Sequence, residues 1–467
     1  MASIFETVKG LSNGNQIADK SSSRILHPNI HRANPKVISA KGLYMTLENG
    51  QIILDATGGP AVTSLGHGNE EVRNAVIQQM DRLSYCHGLS WANPAAEELA
   101  TAVIDSTDGA MARATMMGSG SEAVEAALKL ARQYAVESGE PERFRFIARK
   151  GGFHGTTLGA LAVTERHGVR DPFEPLLMMD NISFVSTPNL YRGIQDGETT
   201  AKYVERLAKE LDDEFKRVGP QEVAAFIAET FTGSSTGCLG APFGYFPAVK
   251  AICEKHGSLL ILDEVICGMG RTGTYHAWQQ ENVTPDIQTV AKGLAGGYSP
   301  IAMLLMNQKV VDGLLLGRGF FNHGHTYGFH PVACAAAAEV QKILKRDNLL
   351  QNVTAMGDLL GSELKEAFKD NPNVGDIRGR GLFWAVEFVS DKSSKKPFPA
   401  TKGVARKIKQ LGMTEKHNIA LQTGSGTVDG EVGDHLLISP PYTVTAEEIE
   451  TIVKLAVSVV EEVLSQV

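Results

Sequence analysis

With 467 residues, 43% hydrophobic and 21% charged, and a net charge of −8, the chain is longer than one ordinary core and has the balance of a soluble enzyme of two or more domains. The acidic balance argues against a nucleic-acid partner, and no apolar run approaches the roughly 18 residues of a membrane helix. The five scattered cysteines lack C-x-x-C spacing, which argues against a disulfide framework or a structural zinc site; a reducing, cytoplasmic setting and no metal are expected.

Residues 1 to about 40 read as an irregular arm with Pro28 and Pro35, and Met1 to Lys20 lacks the apolar segment of a secretory leader. Leu43 to Asp55 alternates apolar and polar around Asn49-Gly50, a hairpin signal. Thr57-Gly58-Gly59-Pro60 then lets the backbone approach something closely, which makes Gly59 and Pro60 candidates for a pocket wall. Glu70 to Arg82 and Pro94 to Ile104 read as amphipathic helices. Tyr85 and His87 lie between them, in a loop that walls a pocket or is merely structural.

The run Arg113 to Met117 leads to Gly118-Ser119-Gly120-Ser121-Glu122 and a helix, Glu122 to Val136. Small residues expose backbone N–H groups, hydroxyls add donors, and a helix N-terminus carries positive partial charge, so Ser119, Gly120 and Ser121 form a candidate anion cradle. Glu122 and Glu125 count against it, because both would repel an anion at short range. The G-K-[ST] of a nucleoside-triphosphate loop is missing. The strand Arg145 to Ala148 ends at Lys150-Gly151-Gly152-Phe153-His154-Gly155, where an aromatic and an imidazole suit stacking on a planar ring.

After a polar linker and a charged helix, Ala201 to Phe215, the apolar strand Val223 to Ile227 ends at Glu229. A loop with a mobile composition, Gly233 to Gly237, and the helix Gly244 to His256 follow. The buried run Leu259 to Leu262 ends in Asp263-Glu264, and a second run, Asp286 to Ala291, ends in Lys292. Four strand ends thus present Phe153/His154, Glu229, Asp263 and Lys292. The strand-helix-strand rhythm implies a mainly parallel α/β sheet covered by helices, and such sheets bind ligands at the carboxyl ends of their strands. Beyond them, Ala333 to Ala338 begins a helix whose small-residue face suits close packing or a subunit interface. From Leu350 the pattern becomes α+β.

A buried lysine becomes nucleophilic when desolvation lowers its pKa, and it then forms a Schiff base with an aldehyde. Pyridoxal phosphate brings an aldehyde, a phosphate and a pyridine nitrogen, and an aspartate beside that nitrogen keeps the ring an electron sink. Asp263 and Lys292 suit those two roles, with the Ser119 loop at the phosphate.

Leu262-Asp263-Glu264-Val265, Gly270-Arg271-Thr272-Gly273 and Ala291-Lys292-Gly293-Leu294 resemble the class III (omega) aminotransferases of the fold type I pyridoxal-phosphate enzymes. So do Ser119-Gly120-Ser121-Glu122-Ala123, Phe153-His154-Gly155, Thr326 with His330-Pro331, Gly66-His67-Gly68, Gly433-Asp434-His435 and Ser439-Pro440-Pro441. The resemblance implies a large cofactor-binding domain, 66–332, around a mainly parallel seven-stranded sheet. A smaller α+β domain would be built from both termini, 1–65 and 333–467. It implies transfer of an amino group from a primary amine or omega-amino acid to a 2-oxo acid or aldehyde, in a ping-pong sequence through a Lys292 Schiff base. A racemase, aminomutase or decarboxylase of the same family is the alternative.

By the same resemblance, Asp263 would pair with the pyridine nitrogen. Val265 and Phe153 would cover the two ring faces, with His154 and Glu229 also at the cofactor. Ser119, Gly120 and Ser121 would hold the phosphate. Thr326 would reach the phosphate of a neighbouring subunit, so a homodimer with shared sites is implied, and Tyr85 and His87 would line the substrate channel. The chain departs from the pattern in three places. Glu229 precedes Thr230 rather than proline, Phe153 replaces a tyrosine, and Val432 stands where relatives often carry arginine. No arginine follows Arg406, so the usual fork for a substrate carboxylate is missing from the tail.

Overall fold

The computed structural model describes residues 23–27 and 34–467. Most of the N-terminal arm, Pro28 included, lies outside the described residues. In chain order the first strands are β1 (Val37–Lys41), β2 (Tyr44–Leu47) and β3 (Ile52–Asp55), the last two joined at Asn49-Gly50. Next come β4 (Arg113–Met117), β5 (Arg145–Arg149), β6 (Ile182–Val185), β7 (Val223–Glu229), β8 (Leu259–Glu264), β9 (Ile287–Val290) and β10 (Ala302–Met306). The last are β11 (Val374–Gly379), β12 (Trp384–Phe388), β13 (Ile419–Ala420), β14 (Gln422–Gly424) and β15 (His435–Ile438).

The central sheet has seven strands in the order β4-β10-β9-β8-β7-β5-β6. Its strands are parallel except β10, which runs antiparallel to both β4 and β9. Both faces of a covered parallel strand must be apolar, and β8 shows why its sequence reads as an unbroken hydrophobic run. Ile261 faces the core beneath the helix Gly120–Glu137, which contributes Val124, Ala127 and Leu130. Leu260 and Leu262 face the opposite layer, where the helices Thr200–Val218 and Tyr245–Lys255 contribute Leu207, Phe215 and Phe246.

The N-terminal hairpin leaves this layer. β3 pairs in parallel with β13, Leu54 opposite Ile419, and Leu43, Leu54 and Leu65 share one core with Trp384, Ile438 and Val460. The first described strands therefore pack with the C-terminal strands and helix, beside a separate four-stranded sheet ordered β11-β12-β15-β14.

The small-residue face of the helix Pro331–Arg346 serves close helix packing, one of the two uses expected of it: Ala333, Cys334 and Ala337 pack on Ala96, Leu99 and Val103 of the helix Pro94–Asp105. One expectation changes. The Gly233 to Gly237 loop is not mobile in composition only to be loose in space. Ser235 and Thr236 are buried, the Thr232 and Thr236 hydroxyls lie 2.6 Å apart, and Gly233 N–H donates to Glu229 Oε2 at 2.9 Å. No helix among the described residues is long and apolar enough to cross a membrane.

Candidate active site

Register brings the strand ends together. Glu229 lies opposite Asp263, and Asp263 opposite Thr289, so β7, β8 and β9 finish side by side. Asp263 is almost fully buried, and a buried carboxylate must be hydrogen-bonded. Its Oδ1 accepts from Val265 N–H and from the Thr289 hydroxyl, both at 3.0 Å. Its Oδ2 faces His154 Nδ1 at 2.8 Å, a contact that places a proton on Nδ1 and leaves the buried Nε2 without a partner. Thus His154, expected to stack on a ring, instead holds Asp263 from behind. Its own backbone N–H is anchored on Thr164 Oγ1 at 2.8 Å.

Lys292 follows β9 with φ of 42°, a left-handed conformation costly for a side chain with a Cβ. The turn holds it there: Leu294 N–H donates to Ala291 O at 2.8 Å and Gly296 N–H to Lys292 O at 3.0 Å. The amine makes no hydrogen bond with any described residue and opens onto a cavity, while protein atoms crowd it elsewhere. Desolvation holds its pKa below the ordinary lysine value, against the opposing pull of Asp263 and Glu229. Glu229 is fully buried and its pKa is pushed up by that burial, although it accepts from Phe153 N–H at 2.7 Å and Gly233 N–H at 2.9 Å. Those bonds fix Phe153 in the cavity wall.

At the other end of the cavity the helix Gly120–Glu137 begins. Ser119 caps it by accepting from Glu122 N–H at 3.3 Å, and Ser121 Oγ accepts from Thr156 N–H at 3.1 Å. The backbone N–H groups of Gly120 and Ser121 have no partner among the described residues, as expected of a first helical turn open to an anion. Glycine is required at 120, since a Cβ there would come within 2.7 Å of Val265 Cγ1. The acidic residues that counted against this cradle are engaged elsewhere. Glu125 accepts from Thr157 Oγ1, Gly159 N–H and Ala160 N–H, and Glu122 turns back to Gly118 N–H at 2.9 Å.

One cavity of about 730 Å³ joins these parts. Ser119, Gly120 and Ser121 line one end, and Asp263, Lys292 and Glu229 another, with Phe153, His154 and Val265 between them and Pro60 at the wall. Four expected residues are elsewhere. Gly59 is exposed and Val62 lines the cavity in its stead. Tyr85 is on the surface, its hydroxyl donating to Thr326 O at 2.9 Å and its ring edge-on to Tyr327. The His87 ring bonds only Ser90 Oγ among the described residues. Thr326 borders a second hollow, outside Gly118 and Ser119. In a single chain these three do not reach the cavity.

Sequence reading passed over Thr289, Ser235, Ser299 and Ile301. Thr289 did carry a signal, as a polar residue inside an apolar strand in register with Asp263; the others occupy loops whose approach only the fold sets. Among the described residues, no group of histidines, cysteines and acids is arranged to hold a metal ion.

A model of the family described as "Aminotransferase class-III" matches residues 28–460. An aminotransferase of Gibberella zeae is 50% identical over 92% of this chain and 84% of its own length. One of Schizosaccharomyces pombe is 45% identical over 94% and 95%. Among solved structures, the omega transaminase of Pseudomonas jessenii in complex with PMP superposes with a TM-score of 0.86 at 31% identity, covering 93% of this chain and 94% of that one.

Proposed function

Since this chain belongs to the class III aminotransferase family and is an aminotransferase of fold type I, we propose that its 730 Å³ cavity binds pyridoxal phosphate through the residues named above. The observation that carries this reading is the joint placement of the Lys292 amine, the braced Asp263 carboxylate and the two free N–H groups of Gly120 and Ser121 around one cavity. The parts suit the group. The free N–H pair at a helix N-terminus matches a phosphate, Phe153 and Val265 offer apolar faces to a flat ring, and Lys292 Nζ is an amine without a partner. When bound, the cofactor supplies an aldehyde for an amine and a cationic ring that stabilises the carbanion left by loss of a C–H proton.

The protein's own contribution is protonic and positional. Asp263, aimed by Val265 and Thr289 and backed by His154, would keep a proton on the ring nitrogen of the bound cofactor. Lys292, once free, would take the proton from one carbon and return it to another, and burial, which lowers its pKa from the ordinary lysine value, favours the neutral amine that this role needs. The transfer runs from a primary amine or omega-amino acid to a 2-oxo acid or aldehyde in two half-reactions. Thr326, Tyr85 and His87 face outward, which supports a homodimer in which they serve the partner's site. The division into 1–65, 66–332 and 333–467 and a cytoplasmic setting complete the reading. All five cysteines are free thiols, as a reducing compartment would keep them.

The test is covalent. Borohydride treatment of the enzyme loaded with pyridoxal phosphate is expected to attach the cofactor to the peptide containing Lys292. Lys292→Ala is expected to lose attachment and at least 1000-fold in turnover while its melting temperature stays within a few degrees. Attachment to a different lysine, or near-normal transamination by the variant, would overturn the assignment.

A further inference from the structure

The helix Pro331–Arg346 buries an apolar stripe, and one amide interrupts it. Gln341 is buried beside Ala337, Ala338, Val340 and Leu344 of the same helix, where a polar group must find partners. It finds them on the turn that carries Lys292. Its Nε2 donates to Leu294 O at 2.7 Å and to Gly293 O at 3.3 Å. Two carbonyl acceptors fix the amide with its nitrogen toward the turn.

Those carbonyls have little else. No backbone N–H among the described residues donates to either, and the Ser64 hydroxyl reaches Gly293 O only at 3.4 Å. The backbone bonds of the turn end on Ala291 O and Lys292 O, so beyond Lys292 the chain is fastened by Gln341. Before Lys292 it is fastened by the sheet, since only Ala291 separates the lysine from β9. Relaxing Lys292 from its φ of 42° to a negative value rotates one half against the other. That swing would draw Gly293 O and Leu294 O off the amide and leave two carbonyls bare in a dry interior. Gly293 has little room of its own, because a Cβ there would come within 3.1 Å of the Tyr442 hydroxyl.

We propose that Gln341 is a positioning residue for the amine of Lys292: by clamping the carbonyls of Gly293 and Leu294 it holds the strained backbone that aims the lysine into the cavity. The proposal rests on the reading of Lys292 given above. Gln341 does not line the cavity, so it acts through the lysine alone. Asp263 on β8 and the free N–H groups of Gly120 and Ser121 are set by other contacts, and they keep their places when the amide is lost.

The experiment compares the parent, as the full chain, with Gln341→Met, which keeps the length of the side chain without its donor, and with Gln341→Asn, whose shorter amide reaches the carbonyls only through water. Equilibrium dialysis gives the Kd of pyridoxal phosphate, whose aldehyde bonds to Lys292, and of pyridoxamine phosphate, which forms no such bond. Gln341→Met is expected to weaken pyridoxal phosphate about 10-fold, the worth of one hydrogen bond, and pyridoxamine phosphate less than about threefold. Gln341→Asn should show the same split to a smaller degree. Both are measured below the melting transition of each variant, so lost stability does not enter. Equal shifts for the two ligands, or parental affinity for pyridoxal phosphate in the folded variants, would refute the proposal; if Gln341→Met does not fold, Gln341→Asn decides. If borohydride traps no cofactor on Lys292 of the parent, the site reading falls and this proposal with it. If it does, and the variants keep parental affinities, the proposal alone falls.

Discussion

At the residue scale, the centre of the site is a carboxylate whose two oxygens are given different work. Asp263 Oδ1 is saturated by Val265 N–H and the Thr289 hydroxyl, and Oδ2 accepts a hydrogen bond from His154 Nδ1–H. Asp263→Asn preserves size but sets an amide N–H₂ against one of these donors, and it removes the negative charge that keeps a ring nitrogen protonated. Turnover is expected to fall at least 100-fold with cofactor still bound, which absorbance and kinetics together would show; a loss under tenfold would dissociate Asp263 from the ring. Asp263 and Lys292, the two residues proposed to carry the chemistry, were legible because each ends a buried apolar strand, where a charge needs a reason. Thr289 was only half legible: a polar residue inside an apolar strand is a signal, but the register of β8 with β9 alone sets it opposite Asp263.

At the element scale, long periodic segments read correctly, and the helix Glu70–Arg82 matches its expected span. β1 (Val37–Lys41) begins inside the stretch expected to be an irregular arm, and in the central sheet the strands that escaped were β6, at the sheet edge within a polar stretch, and β10, whose Ala302 to Met306 run follows too closely on β9 for a crossover helix. Antiparallel insertion solves that problem, because it needs only a short connection. Behind β8 and β9 lies a polar network the sequence did not announce. Gln288 Oε1 accepts from Trp278 Nε1–H at 3.1 Å, which fixes the amide so that Nε2 donates to Glu264 Oε2 at 3.0 Å and to His276 Nδ1 at 2.8 Å. His276 then carries its proton on Nε2, toward Ser106 Oγ at 2.9 Å. A second proton would face the Gln288 donor inside the core, and burial accordingly pushes the His276 pKa down to about 3. Between pH 6.5 and 3 the unfolded chain binds a proton that the folded chain refuses, so stability falls as pH drops, by about 1.4 kcal/mol per unit from this group. Urea midpoints measured from pH 6.5 to 5 should show that slope, and His276→Gln should flatten it by about that amount; an unaltered slope would assign the acid lability to other groups.

At the scale of the whole molecule, one buried side chain ties together three distant parts of the chain, one of them next to the cavity wall. Arg271 is completely buried with no carboxylate beside it. Its guanidinium donates to Leu382 O at 3.1 Å, Pro440 O at 2.6 Å and Ala61 O at 3.4 Å, and lies 4.6 Å from the Tyr442 ring centre. Tyr442 in turn bonds Met269 O through its hydroxyl at 3.0 Å and Ser64 O through its backbone at 2.7 Å. Carbonyl dipoles and a ring face thus stand in for a counter-ion, and burial still lowers the arginine's pKa. The segment held at Ala61 has Pro60 and Val62 as its neighbours, both on the cavity wall, so the seam between the sheets also sets the width of the site. Lysine keeps the charge but not the fork, and would leave two of the three carbonyls unpaired in a dry interior. Arg271→Lys is therefore expected to cost about 3 kcal/mol or more. It should lower the melting temperature by roughly 5 °C and raise KM for amine donors more than it lowers kcat, because the wall loosens while Lys292 and Asp263 stay in place. A variant with parental melting temperature and KM would show that the seam is held by its apolar core alone.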